Sequence, residues 1–213
     1  MKKVKVEFIN IVKKFNETTA VDNISCNFEP GTLTTLLGPS GCGKTTSLRL
    51  IAGLERATSG NILIDNEDIT IKPATDRDVS MVFQSYALFP HMTVLENVSY
   101  GLKMINTEKK EYIEKSINTL NLVGLENFEK RMPSELSGGQ QQRVAVARAI
   151  VLEPKVLLFD EPLSNLDAKL RRQVREDIRS IQQKLAVTTI YVTHDQEEAL
   201  AISDKVIVMN DAI

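Results

Sequence analysis

Cysteines, long apolar runs and an excess of one charge are all scarce in this chain of 213 residues. Its two cysteines, Cys26 and Cys42, are too few and too far apart for a disulfide framework or a zinc site, so we expect free thiols in a reducing compartment. A net charge of -2 argues against a nucleic-acid binder with a large basic face. No stretch approaches the roughly 18 consecutive apolar residues of a membrane span. The start of the sequence lacks the apolar run of a signal peptide.

Apolar periodicity and turn residues predict an α/β chain that a helical segment interrupts. A Pro30-Gly31 turn leads into a strand rich in β-formers, whereas from about residue 93 to 152 apolar residues recur at helical spacing. Thr93 followed by Glu96 has the pattern of a helix start. Strands are predicted at 4–8, 24–28, 32–37, 61–65, 79–83, 156–160, 188–193 and 204–209, and helices at 93–102, 107–122, 137–152, 167–185, 195–202 and 44–52.

A glycine-rich loop between a predicted strand and a predicted helix matches the phosphate-binding P-loop pattern. Its glycines allow backbone N–H groups to surround phosphate oxygens, and the helix adds the positive end of its dipole. Lys44 is expected to reach the β- and γ-phosphates of a nucleotide, and the Thr45 hydroxyl is expected to bind Mg²⁺. The predicted nucleotide-binding residues here are Gly38, Pro39, Ser40, Gly41, Cys42, Gly43, Lys44, Thr45 and Thr46.

Two adjacent carboxylates, Asp160 and Glu161, end a strand of apolar residues. Burial of that strand would place Asp160 at the carboxyl edge of a sheet beside the P-loop, where it would hold Mg²⁺ through water. The alternative, a pair of surface acids in the turn before Pro162, does not suit a strand that should be buried.

A second glycine-containing helix start lies at Ser137, Gly138, Gly139 and Gln140. Ser137 is a plausible N-cap, and the two glycines leave the first N–H groups of the helix sterically open. Such a helix end is a second anion site, although one chain does not need two γ-phosphate sites for one nucleotide.

Together, in this order, the three motifs resemble the ATPase subunits of ATP-binding cassette (ABC) transporters, and the resemblance runs from Val4 to Met209. It implies a P-loop NTPase core with a mixed sheet, an antiparallel β edge and a helical insertion subdomain. The core would comprise residues 1–84 and 154–213, and the helical subdomain about 85–153. Family members usually continue past this point, so we expect the C-terminal end of the domain and any regulatory domain to be absent here.

The same resemblance assigns roles to single residues. Glu161 would be the general base for the attacking water, Gln84 the Q-loop glutamine that senses Mg²⁺ and the γ-phosphate, and His194 the switch histidine. Phe15 lies where the family places a ring that stacks on adenine. Asp167 belongs to the D-loop, and the Ser137–Gln140 signature would face the P-loop of a second subunit, so that two ATPs lie in a head-to-tail dimer.

Two further stretches, 84–94 and 193–199, are similar to the importer branch that serves polyamines, iron(III), sulfate, phosphonates or sugars. Residues Tyr86 to His91 would contact a transmembrane permease, which would hold the chain at the cytoplasmic face of the membrane. Contact with a substrate-binding protein would be only indirect. The cargo is left open, because this subunit would not touch it.

Two other classes of protein are weighed. A soluble ABC ATPase acting on DNA or ribosomes usually carries zinc cysteines, long coiled coils or tandem cassettes, none of which is visible. A GTPase should carry Asn-Lys-x-Asp, which this sequence lacks. The basic residues of the helix at 167–185 are interpreted as a solvated face rather than as a nucleic-acid contact.

Overall fold

The computed structural model describes residues 3–210 and divides the chain into two compact units. The first unit comprises Met1–Met81, Lys155–Glu161 and Gln182–Ile213. The second comprises Val82–Pro154 and Pro162–Ile181, so residues 162–181 group with the helical segment. Within the described residues no helix is both long enough and apolar enough to cross a membrane.

An antiparallel sheet of four strands in the order β2-β1-β4-β5 forms one layer of the first unit. Val6 pairs with Phe28 of β2 and with Ile64 of β4, which places alternate apolar side chains on one buried face. The rings of Phe8 and Phe28 meet edge to face, with centroids 5.9 Å apart. The strands are β1 (Val6–Phe15), β2 (Thr18–Phe28), β4 (Ser59–Ile64) and β5 (Glu67–Asp68).

A second sheet has five strands in the order β6-β7-β8-β3-β9. The neighbours β7 and β8, β8 and β3, and β3 and β9 are parallel. Every residue of β7 and of β8 is buried, as expected for strands covered on both faces. The strands are β3 (Leu33–Leu37), β6 (Val79–Val82), β7 (Val156–Asp160), β8 (Thr188–Thr193) and β9 (Lys205–Val208).

Helices α1 (Lys44–Ala52) and α6 (Gln196–Ile202) complete the first unit. The end of α1 is fixed by Arg77, whose guanidinium donates to the carbonyls of Leu50 and Ile51 at 2.6 and 2.8 Å. Burial lowers the pKa of Arg77, but an arginine stays charged in proteins, so these carbonyls receive charge-assisted hydrogen bonds.

The second unit is helical. Thr93 caps its first helix as the sequence predicts, because its hydroxyl accepts from the Glu96 N–H while the Glu96 carboxylate accepts from the Thr93 N–H. Arg143 and Asp177 form an ion pair at 2.6 Å. The helices are α2 (Val94–Met104), α3 (Lys109–Leu122), α4 (Gly138–Ile150) and α5 (Ala168–Leu185), the last of which continues into the first unit.

These elements confirm the predicted α/β class with an antiparallel part and a helical part. The antiparallel strands form a sheet of their own rather than the edge of one mixed sheet. The predicted bounds of α1 and β8 agree with the structure. The first two strands extend much further than the alternation predicts, to Phe15 in β1 and back to Thr18 in β2.

Candidate functional site

Three strands of the parallel sheet end next to one another in the first unit. β8 lies between β7 and β3, with Leu37 paired to Thr193 and Asp160 paired to Val192. The chain leaves these strands into the P-loop, into Glu161 and into His194. The sheet order therefore brings together residues that are far apart in the sequence, at the edge where ligands of α/β proteins bind.

At the last glycine of the P-loop, Gly43, the backbone has a conformation that only glycine tolerates. Gly43 has a φ of +93°, and a Cβ there would lie 2.3 Å from the Ala20 carbonyl oxygen. Gly43 is also the N-cap of α1 and provides no side-chain hydrogen bond, so the first N–H groups of α1 remain available to an anion. The Lys44 ammonium lies inside the loop and donates to the carbonyls of Gly38 and Pro39 at 2.8 and 2.6 Å.

The Thr45 hydroxyl donates to the Asp160 carboxylate at 2.8 Å. Asp160 is 8% exposed, and this burial raises the pKa of its carboxyl, while the hydrogen bond from Thr45 acts in the opposite direction. Two hard oxygen atoms at this spacing suit Mg²⁺, which binds one or two protein oxygens together with substrate phosphates. Among residues 3–210 no cluster of three or more histidine, cysteine or acidic side chains could hold a metal alone.

The Glu161 carboxylate lies 3.1 Å from Nδ1 of His194. Glu161 has a φ of +43°, in the left-handed region that non-glycine residues rarely adopt. Its N–H donates to the Val192 carbonyl at 3.1 Å, so the neighbouring strand stabilises this conformation. Strained backbone of this kind is frequent at functional sites, and here it determines the direction of the side chain that follows Asp160.

Phe15, the predicted adenine contact, ends β1 and is 42% exposed. The Lys13 ammonium lies over its ring, 4.4 Å from the centroid. One face of the ring is thus occupied by a cation, and the side chain is not part of the core. That exposure is compatible with stacking on a base.

The remaining predicted site residues belong to the second unit. Ser137 caps α4: its hydroxyl accepts from the Gln140 N–H at 3.4 Å, and the Gln140 side chain accepts from the Ser137 N–H at 3.0 Å. The Asp167 carboxylate accepts from the N–H groups of Lys169 and Leu170, at 3.1 and 3.0 Å, at the start of α5. Gln84 is exposed, and its carbonyl accepts from the Asn165 amide at 3.0 Å.

The glycines of the Ser137 motif have a packing role that the sequence did not indicate. A Cβ on Gly138 would lie 3.0 Å from the Leu166 side chain, and one on Gly139 would lie 2.7 Å from that of Leu170. Both contacts are closer than ordinary van der Waals distance, so these leucines occupy the space that side chains at 138 and 139 would need.

The predicted permease contact is corrected at Tyr86. The sequence analysis assigned the whole segment from Tyr86 to His91 to the permease contact, but Tyr86 is only 6% exposed. Its backbone is left-handed, with a φ of +60°. Leu88 and Phe89 are partly exposed and His91 is exposed, so these side chains are the accessible part of the segment.

Two residues that organise this segment were missed in the sequence. Asn97, buried in α2, donates to the carbonyls of Phe89, Met92 and Thr93 and accepts from the Phe89 N–H. Arg148, in α4, donates to the carbonyls of Tyr86 and Ala87. In the sequence, the only sign of the role of Asn97 is a polar residue at a position where the helical pattern expects an apolar one. Nothing in the sequence indicates the role of Arg148.

The sequence model of the ABC transporter family matches residues 21–164, which is more than half of the chain. The chain therefore belongs to the ABC transporter family, and its fold and P-loop agree with that assignment.

Among curated relatives, the "Fe(3+) ions import ATP-binding protein FbpC" of Rhizobium etli is 65% identical over 206 residues, covering 97% of this chain and 58% of the relative. "Fe(3+) ions import ATP-binding protein FbpC 1" of Haemophilus influenzae is 60% identical over 201 residues, covering 94% of this chain and 61% of the relative. The chain thus spans about three fifths of the length of these relatives.

Solved ABC cassettes share the fold. The cbiO1 protein of Clostridium perfringens, described as part of the ABC transporter complex cbiONQ, has a TM-score of 0.89 at 30% identity and covers 97% of this chain and 85% of its own. A dimeric, post-hydrolysis cassette MJ0796 bound to ADP and Pi has a TM-score of 0.83 at 32% identity, covering 97% of this chain and 95% of its own. These matches do not support the alternative of a soluble ATPase acting on DNA or ribosomes.

Proposed function

We propose that the chain is the ATP-binding and ATP-hydrolysing part of an importer subunit, and that the cargo is ferric iron. The ATPase role is supported by the family and by the arrangement of side chains at the carboxyl edge of the parallel sheet. The iron assignment is supported by the names of relatives at 60–65% identity. In this proposal the chain works at the cytoplasmic face of a membrane and is held there by permease subunits.

The contact between Glu161 and His194 is the observation that carries the catalytic proposal. Glu161 accepts the proton of the water that attacks the γ-phosphate of ATP, which releases ADP and phosphate. His194 contacts the carboxylate through Nδ1 at 3.1 Å, which orients it. The opposite ring nitrogen can contact the γ-phosphate as a donor when both ring nitrogens carry a proton.

The phosphates of ATP bind to the P-loop amides, to the first N–H groups of α1 and to Lys44, whose ammonium exchanges its contacts with Gly38 and Pro39 for phosphate oxygens. Thr45 and Asp160 would hold Mg²⁺, and the ion would neutralise the charge that develops on the phosphates. Phe15 stacks on adenine.

A second copy of the chain completes each site in this proposal. Ser137, Gly138, Gly139 and Gln140 bind the γ-phosphate held by the partner, and Asp167 lies at the dimer interface. The dimeric state of a solved cassette with the same fold supports this arrangement. Leu88, Phe89 and His91 contact the permease, and no nucleic acid takes part.

The test of the ATPase site is Glu161→Gln, with the exposed Glu29→Gln as a matched control. The amide cannot accept the water's proton, so we expect hydrolysis to fall by about 10²–10⁴-fold while ATP binding is retained. Fluorescent-nucleotide titration and phosphate release measure the two quantities. Turnover at the normal rate in Glu161→Gln would place the base elsewhere.

The cargo is tested in vesicles that contain the full-length subunit with its permease. Binding protein loaded with Fe³⁺ should stimulate ATP hydrolysis, whereas sulfate-, polyamine- or sugar-loaded binding proteins should not. Stimulation by one of these other cargoes instead of iron would contradict the iron assignment and leave the ATPase proposal intact.

A further inference from the structure

The loop at residues 83–93 of the second unit has an unusual backbone. Tyr86 and Ala87 are both left-handed, with φ values of +60° and +49°. Neither is glycine or asparagine, the residues that adopt this region at low cost. Two consecutive left-handed residues of this kind persist only where other contacts stabilise them.

Arg148 supplies such contacts from α4. Its Nη2 donates to the Tyr86 carbonyl at 2.9 Å and its Nη1 to the Ala87 carbonyl at 2.7 Å. The guanidinium also lies 5.4 Å from the centroid of the Phe89 ring. One planar cation thus contacts three of four successive residues, and it fixes the direction of two carbonyls that an ordinary turn would point elsewhere.

The Tyr86 side chain extends to the other end of the same helix. A Cβ placed on Gly138, the first residue of α4, would lie 4.0 Å from the Tyr86 hydroxyl oxygen. This hydroxyl is buried and has no hydrogen-bond partner among the described residues. Arg148 bonds the 83–93 loop near the end of α4 at Ile150, and the Tyr86 hydroxyl lies beside the space that a Cβ on Gly138 would occupy at the start of α4.

We infer that Arg148 is a positioning residue that couples the 83–93 loop to the first turn of α4 by selecting the left-handed conformation of Tyr86 and Ala87. This inference rests on the proposed function, in which Leu88 and Phe89 contact the permease and Ser137–Gln140 binds the partner's nucleotide. With both carbonyls bound, a displacement of Phe89 moves Arg148 and Tyr86 together, and with them both ends of α4. Without these bonds the loop relaxes and the two regions move separately.

The chemistry of the guanidinium provides the first test, Arg148→Lys. Lysine keeps the charge but lacks the planar fork of two separate N–H donors, so it cannot hold the two carbonyls at the spacing that Nη1 and Nη2 fix. We expect faster hydrogen exchange at residues 86–89 in the isolated chain. In vesicles with the permease, stimulation of ATP hydrolysis by loaded binding protein should fall about fivefold or more. Fivefold is the lower end of the effects that coupling between two distinct sites has on affinity. The KM for ATP should not change. Arg131→Lys is the control, at an exposed arginine whose guanidinium lies over the Phe128 ring.

A rescue separates conformational selection from simple packing. Glycine adopts the left-handed region freely, so Ala87→Gly in the Arg148→Lys background should restore a large part of the stimulation and of the exchange protection. Ala87→Val, with Arg148 intact, should reproduce the defect, because a β-branched residue disfavours φ above zero. Ala87 is exposed, so this variant loses no core contact and remains informative if Arg148→Lys does not fold.

The inference is overturned if Arg148→Lys leaves exchange and stimulation unchanged. It is also overturned if Ala87→Gly fails to rescue a folded Arg148→Lys variant, or if Ala87→Val behaves like the native chain. A native chain that no binding protein stimulates would contradict the proposed function instead, and the exchange measurements on the isolated chain would still decide the role of Arg148.

Discussion

In the described part of the chain, α1 directly follows a glycine and α4 begins with two, and these glycines serve different physical needs. At α1, Gly43 is required by the backbone, because its φ is +93° and the Ala20 carbonyl oxygen occupies the Cβ position. At α4, Gly138 and Gly139 are helical residues, and the space for a Cβ is taken by leucine side chains. The start of α1 has no side-chain cap, whereas that of α4 has a complete capping box.

The difference shows how one sequence feature arises from two causes. The amides at the start of α1 have no partner within the helix and can bind an anion immediately. At α4 the Ser137 and Gln140 amides are already satisfied by each other's side chains, so an anion there must compete with the cap. We therefore expect α1 to bind phosphate in the isolated chain and α4 to bind it only weakly unless a second subunit contributes.

Gly43→Ala should have the largest effect on stability. The energetic cost of a left-handed φ for alanine adds to the cost of the clash with a backbone oxygen. We therefore expect a loss of about 2–5 kcal/mol in the free energy of unfolding. Urea denaturation measures it. No substitution of a neighbouring side chain should restore the loss, because the obstructing atom is a main-chain carbonyl, and a rescue by Val21→Ala would contradict this.

Gly139→Ala should cost less, about 1–3 kcal/mol, because the obstructing group is a side chain that can shift. Truncating that side chain in Gly139→Ala/Leu170→Ala should recover part of the loss, since alanine favours a helix by up to about 1 kcal/mol over glycine. A double-mutant cycle in urea gives the coupling energy. Strictly additive losses would mean that Leu170 is not the obstruction.

Asp160→Asn should stabilise the chain without nucleotide, by up to about 1 kcal/mol at neutral pH. Burial raises the pKa of Asp160, so the folded chain holds this proton more tightly than the unfolded chain. The resulting stability is fully present below the unfolded pKa and is lost as the pH rises through the folded pKa. The amide of the variant still accepts from Thr45 but carries no charge. Between acid and neutral pH, the melting temperature of the variant should change less than that of the native chain. A lower melting temperature for the variant than for the native chain at pH 7 would contradict the prediction.

Ser137→Ala should have the smallest effect, about 1 kcal/mol, because it removes one cap from α4. Ser137→Gly should cost only a few tenths of a kcal/mol, since glycine is tolerated at this position. Chemical denaturation of the two variants side by side tests the order. Equal losses would show that the hydroxyl is not acting as a helix cap.

Much of the site could be predicted because its residues follow strand ends. The P-loop, Glu161 and His194 come directly after β3, β7 and β8, and Asp160 ends β7. The apolar or β-branched composition of these strands identifies them in the sequence. Parallel pairing then brings their carboxyl ends together without further information. The bounds of α1 and β8 were also predicted correctly, because local sequence patterns mark where these elements begin and end.

The errors lie where long-range contacts or unusual backbone decide the structure. Left-handed Asn10 in β1 and left-handed Asn23 in β2 interrupt the alternation of these strands, so only short parts of them were recognised. Burial of Tyr86 depends on the conformation of the 83–93 loop, which Arg148 stabilises from a helix more than fifty residues away. No local sequence pattern indicates the left-handed asparagines or the contact between Arg148 and the 83–93 loop.

The order of strands in the parallel sheet also bears on synthesis. β3 carries the P-loop at its end, yet both of its partners, β8 and β9, are made more than 140 residues later in the chain. At ordinary elongation rates the ribosome needs roughly 10–30 s to extend from β3 to β8. During that time β1, β2 and β4 can pair, while both hydrogen-bonding edges of β3 lack a neighbouring strand. We expect ribosome-bound chains to become protease-resistant near the P-loop only after residue 193 has left the exit tunnel.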